Sequence, residues 1–154
     1  MELTTFFTDD HRRCDLLWAD VEATADRGGD LPAALKRFGD ALLRHLAMEE
    51  EVLFPAFDAR TGMSMGPTQV MRTEHTQMRG VLAMMQAAVS EPQSVLDHGD
   101  TLLMLTQQHN AKEEHMLYPM AAEFLPDQWP GLYAELSRRG ESPVDPRGWR
   151  GPTG

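Results

Sequence analysis

Six residues able to hold metal recur at one fixed interval. His11, His45 and Glu49 are followed, 64 positions later each, by His75, His109 and Glu113. The text around them repeats as well: HLAMEEEVLFP (45–55) and HNAKEEHMLYP (109–119) share six of eleven residues. An offset that holds over a 39-residue span relates two half-chains, not two short words. Four imidazoles and two carboxylates make a nitrogen–oxygen donor set that suits iron or manganese in a two-metal helical site, with the glutamates bridging. Zinc fits less well, because closed zinc sites take four ligands. Six protein ligands shared by two ions leave positions for water, oxygen species or a bridging oxide, so the centre should be reactive rather than merely structural.

The bland alternative applies to each residue singly. One histidine on an apolar helix face is more often a satisfied core residue than a ligand; six at one offset are hard to explain by packing. Glu50 and Glu114 repeat too, but at i+5 from the histidines they read as solvated groups or outer partners. Metal-bound imidazoles need an acceptor on their second nitrogen. Asp10 or Asp15 could serve His11, while Glu74, adjacent to His75, should be turned away. His115 falls off the ligand face and reads as surface, and His98 as a polar core residue. Cys14, one turn from His11, reads as a small buried apolar group. The methionines, among them Met71, Met78, Met84, Met85 and Met104, read as core filler.

These residues need elements to carry them. Helical periodicity dominates and strand-like alternation is nearly absent. Helices are expected over about 4–27, closed by Gly28-Gly29; from Asp30 as N-cap to about 58; from Pro67 to about 90; and over about 93–123. Pro55 and Pro119 lie near the ends of the second and fourth helices, where a kink or stop is tolerable. Four long helices with short connections predict an all-α, up-down-up-down four-helix bundle. At 1.5 Å rise per residue, His11 and His45 lie roughly 24 and 22 Å from the turn they share, and the second half levels similarly. All six side chains then fall in one slab. His45/Glu49 and His109/Glu113, at i and i+4, are about 40° apart around their helices and ~6 Å apart along them, so each pair points into one space. The bundle domain is expected over 1–124. Residues 125–154 read as a short terminal helix (130–139), packing Trp129, Leu132 and Tyr133, followed by an irregular Gly/Pro-rich tail over 140–154.

Bulk properties narrow the function. A net charge of −10 with scattered basic residues disfavours nucleic acid. The single cysteine excludes an internal disulfide or a cysteine-cluster metal site. No stretch approaches a membrane span and the N-terminus lacks a signal peptide's pattern, so the expected location is cytoplasmic.

With these residues in view, the chain resembles the hemerythrin-like family of HHE cation-binding domains. The likeness rests on His11, HLAMEEEVLFP, His75 and HNAKEEHMLYP in that order, and spans about residues 5–123. It implies a bundle around a non-haem di-iron centre, oxo- or hydroxo-bridged. The imidazole ligands would be His11, His45, His75 and His109, with Glu49 and Glu113 as bridges. Manganese or zinc would be substitutes. Oxygen carriers of the family have a fifth histidine in an HxxxH pair; here Met71 and Arg79 stand four residues either side of His75. The His4Glu2 set is similar instead to that of iron-centre repair proteins answering oxidative and nitrosative stress. The resemblance therefore implies O2, peroxide or NO as small ligands, with no catalytic residue or electron donor assigned. The alternatives are a reversible O2-binding or sensing module and a metal-stabilised structural domain.

Overall fold

The structure, a computed structural model, describes residues 1–139; the irregular tail expected at 140–154 lies outside the described residues. Every regular element among those described is helical. Helix α1 (Leu3–Arg27) closes on Gly28, whose φ of 73° is left-handed and suits a residue without Cβ. Helix α2 starts at Leu31, with Asp30 accepting the Ala33 N–H at 3.1 Å and Pro32 in the first turn. It runs through Leu31–Met48, a π-helical turn Glu49–Leu53 and a last segment Phe54–Thr61, then closes on Gly62 at φ 72°. Helix α3 is Pro67–Ala87. Helix α4 repeats the plan of α2: Pro92–Lys112, a π turn Glu113–Leu117, then Tyr118–Phe124. Helix α5 is Trp129–Arg138.

The prolines explain the two π turns. A proline inside an α-helix has no N–H to donate and its ring presses on the carbonyl four residues back. Here the residue before each proline bonds five residues back: Phe54 N–H to Glu49 O, and Tyr118 N–H to Glu113 O. Widening the turn takes up the misfit. Pro55 and Pro119 therefore do not stop their helices, which continue to Thr61 and Phe124.

The helices pack in a ring, α1 against α2, α2 against α3, α3 against α4 and α4 against α1, the up-down-up-down bundle expected. Its interior is two apolar clusters. One, toward the α1–α2 turn, includes Leu17, Trp18, Phe38, Leu42, Leu82 and Met85. The other includes Phe7, Leu53, Phe54, Phe57, Leu117 and Tyr118, and takes in Leu136 of α5. Helix α5 is anchored by Phe6, edge-on to Trp129 and Tyr133 at 5.9 and 5.8 Å, and by the Trp129 indole N–H on Met1 O at 2.8 Å. Met71, Met78 and Met85 are buried, but Met84 and Met104 are exposed and fill no core. Met84 follows the buried-side spacing only by adjacency to Met85, about 100° away around the helix.

One close approach sets a strong constraint. A Cβ built on Gly99 would lie 2.0 Å from the Trp18 ring, so α4 meets α1 there against the indole with no room for a methyl. Gly99→Ala is expected to destabilise the fold by about 1–3 kcal/mol through forced displacement of the ring. Gly80→Ala, where a Cβ meets nothing within 4 Å, is expected to be neutral or stabilising by about 0.5–1 kcal/mol. Denaturant midpoints of the two variants check this, and equal midpoints would count against it. No described helix is long and apolar enough to cross a membrane.

Candidate metal centre

Between the two apolar clusters lies one polar layer. His11, His45, Glu49, His75, His109 and Glu113 are each at most 3% exposed, and together they fill that layer. Burying four imidazoles and two carboxylates is costly unless each polar atom is satisfied. The outward nitrogens are. His45 Nδ1 sits 2.8 Å from Asp10 Oδ2, His75 Nδ1 2.6 Å from Glu50 Oε2, His109 Nδ1 2.8 Å from Glu74 Oε1, and His11 Nδ1 2.7 Å from Glu114 Oε2. Each imidazole thus donates its Nδ1–H to a carboxylate from the preceding helix of the ring, and Nε2 is turned inward.

The inward atoms are not satisfied in the same way. His45, His75 and His109 Nε2, Glu49 Oε1 and Glu113 Oε2 are buried with no hydrogen-bond partner. His75 Nε2 lies 3.1 Å and His45 Nε2 3.5 Å from Glu49 Oε1, close but without hydrogen-bond alignment. Orphaned, mutually facing lone pairs are what cation ligands require, and imidazole with carboxylate suits a divalent first-row metal. The ligand atoms form two groups, His11–His45–Glu49–Glu113 and Glu49–His75–His109–Glu113, each within 4.8 Å. Both glutamates belong to both groups. The donor set fits two cations sharing two carboxylates.

The assignment of outer partners from adjacency fails in two respects. His11 is served by Glu114 of α4, not by Asp10 or Asp15, and Asp10 serves His45. Glu74 is not turned away from the centre; it turns from its neighbour His75 to reach His109 across the α3–α4 seam. Glu50 and Glu114 are both outer partners. The signal was in the repeat: Asp10 and Glu74 are themselves 64 apart. Beyond this ring stand cations: Arg79 on Glu50 at 2.6 Å, Lys112 on Glu74, and Arg13 and Arg44 on Asp10 at 3.3 and 3.6 Å. His115 is exposed and His98 half-buried.

Tyr118 is a site residue that the spacing hides. Its O–H donates to Glu49 Oε2 at 2.6 Å and also lies 3.0 Å from Glu113 Oε1 and 3.1 Å from His11 Nε2. Five residues along an α-helix is about 140° off the Glu113 face; the π turn brings the ring back. The equivalent place in the other half holds Phe54, stacked on His75 at 5.6 Å as Tyr118 lies against His11 at 5.5 Å. The two halves of the centre are thus unequal by one hydroxyl. Burial, then Glu113 and Glu49, push the Tyr118 phenol well above its ordinary range, so it remains a donor. Tyr118→Phe leaves that end of Glu49 without its donor. It is expected to destabilise metal-free protein by about 1–3 kcal/mol, measured by denaturant unfolding; an unchanged midpoint would refute this.

The charges of the metal-free centre follow from its carboxylates. Burial lowers the His109 pKa, but Glu113, Glu49 and Glu74 outweigh it and push it up to about 9. Burial opposes protonation of His11 and His45 as well, yet Glu113 and Glu114, and Glu49 and Asp10, raise both. Burial alone would raise Glu49 and Asp10, but the imidazoles, and the arginines beside Asp10, hold them low. Raised histidines stabilise the fold fully below their unfolded value, ~6.5, and that contribution is lost as pH climbs through the folded value. Depressed carboxylates contribute above ~4 and lose their contribution as pH falls through their folded values. Metal-free protein is therefore expected to be most stable between about pH 5 and 6.5 and to weaken toward pH 9. A cation needs Nε2 deprotonated, so the metal's protective effect grows over the same range. Thermal midpoints of metal-free and metal-loaded protein at both ends should diverge with pH; a metal-free midpoint that rises toward pH 9 would contradict the scheme.

No curated protein and no solved structure shows significant similarity to this chain. The sequence model of the family described as Hemerythrin HHE cation binding domain matches residues 2–121, a span that holds all six inward-facing residues, their four outer carboxylates and Tyr118. The chain belongs to the hemerythrin HHE cation-binding domain family.

Proposed function

We propose that this centre holds two iron ions, with His11 and His45 on one, His75 and His109 on the other, and Glu49 and Glu113 bridging. The observation that carries this reading is that both carboxylates belong to both ligand groups. Irons held by these residues would supply redox chemistry toward O2, peroxide or NO, since six protein ligands shared by two ions leave coordination positions open. Manganese or zinc can occupy the same donors. The chain's own contribution is to fix the ligands. Outer carboxylates hold each Nδ1–H, the cations behind them hold the carboxylates, and Tyr118 keeps a proton at Glu49 Oε2.

A stress-response or iron-centre maintenance role, in the cytoplasm, agrees with this open centre better than reversible O2 storage. Where a fifth histidine would stand, Met71 is buried in the apolar cluster and Arg79 is tied to Glu50. Metal analysis of protein made in iron-rich medium should find about two irons per chain, with oxo-bridge absorption that bleaches on reduction. The reduced form is then exposed to O2, NO and peroxide. Irreversible turnover of the centre is the expected result, and a stable, reversible O2 adduct would transfer the assignment to the O2-binding alternative.

A further inference from the structure

The bundle has a pocket one turn from the polar layer, at the α1–α4 seam. Its floor is Cys14, Phe38, Leu42 and Leu102, all buried, and its rim, at the α1–α4 seam, is Asp15, Leu103 and Thr106. The register ties it to the centre. Cys14 follows His11 by three residues, Leu42 precedes His45 by three, and Thr106 precedes His109 by three. Because α1 runs antiparallel to α2 and α4, all three steps lead the same way, about 4.5 Å along the axes. The free interior is about 20 Å³, room for one molecule the size of water or a diatomic gas. Its lining is mainly apolar, which favours a neutral apolar guest over water.

Two lining positions of the pocket carry larger residues in the other half of the chain. Positions 64 away from Cys14 and Gly99 carry Met78 and Leu35, both larger and both buried. At Gly99 the missing side chain lets the far end of the Trp18 ring approach α4 closely, and the ring forms part of the pocket wall. Cys14 and Gly99 stand on α1 and α4, and α4 also carries the Tyr118 hydroxyl. That hydroxyl lies against His11, the ligand one turn from Cys14.

We propose that this pocket is a binding site and inlet for a neutral diatomic gas, O2 or NO, leading from the α1–α4 seam to the His11/His45 half of the centre. As a route to the metals it rests on the di-iron reading; as a gas site it does not. Peroxide would have to give up its hydrogen bonds with water to enter an apolar passage, so this route disfavours it.

Xenon is the probe. In xenon-pressurised crystals of metal-free protein, one xenon is expected among Cys14, Phe38 and Leu42, and it should be lost in Cys14→Met, which introduces the larger residue found at the equivalent position 78. Stopped-flow mixing of reduced, iron-loaded protein should then show Cys14→Met slowing the O2 and NO reactions several-fold, with the peroxide reaction unchanged. Leu103→Phe closes the rim from the half-exposed side without entering the packed floor, and serves where Cys14→Met folds poorly. Absence of xenon from the wild-type pocket overturns the site. Unchanged O2 and NO rates in both variants overturn the inlet. A wild type that binds xenon yet reacts with neither gas supports the site and refutes the di-iron chemistry, so the two readings fail separately.

Discussion

A Glu49→Ala, Glu113→Ala double variant is expected to lose stoichiometric metal while remaining helical. Each proposed ion takes four protein ligands, and both carboxylates are common to the two sets, so the double change leaves two imidazoles per ion. That loss exceeds the roughly 10–100-fold weakening that follows removal of an outer partner. Helicity is expected to persist because alanine is the strongest helix former and the apolar clusters on either side are untouched. A second signature follows from the charges. His45 and His109 are raised chiefly by these same glutamates against the pull of burial. Without the glutamates the imidazoles return toward neutrality, and the loss of metal-free stability toward pH 9 should flatten. Metal content by plasma emission and unfolding curves at pH 6 and 9 measure both effects. Stoichiometric iron in the double variant would sink the bridging assignment.

Asp10→Ala is expected to weaken metal binding by about 10–100-fold without touching a ligand. Asp10 is the most deeply buried of the four outer carboxylates, and it joins His45 to Arg13 and Arg44. Removing it frees the His45 ring to turn and leaves a cationic pair facing a buried imidazole. Asp10→Asn keeps an oxygen for Nδ1–H and should recover part of the affinity. Glu114→Ala is the milder counterpart, since the Glu114 side chain is 30% exposed and water can replace it at His11 Nδ1. A chelator competition titration ranks the variants, and wild-type affinity in Asp10→Ala would show that the outer ring does not support the ligands.

The fold class and the convergence of six side chains were legible because both depend on quantities that a helix makes linear: rise per residue, angle per residue and a constant offset. Those quantities fail where the helix departs from 3.6 residues per turn. Tyr118 is invisible to α-helical spacing, and only the π turn before Pro119 puts it against Glu113 and Glu49. The outer carboxylates escaped for a different reason. Adjacency in sequence pairs Asp10 with His11 and sets Glu74 against His75, but neighbours on one helix diverge by about 100°, so each carboxylate faces the next helix instead. Met84 and Met104 show the limit of composition: a residue type names a preference for burial, and the face it stands on decides.

The four outer hydrogen bonds also say something about how such a chain can be divided. Two of them, Asp10 to His45 and Glu74 to His109, close inside a single helical hairpin. The other two, Glu50 to His75 and Glu114 to His11, run between hairpins, and the positions they join are equivalent under the 64-residue shift. A first hairpin set against a second copy of itself would offer Glu50 to the other copy's His11, and receive the same in return. That is an isologous contact with two-fold symmetry. The turn between Thr61 and Pro67 is the covalent link between two hairpins that each carry the other's outer partners, so the same bonds are available to fragments cut there.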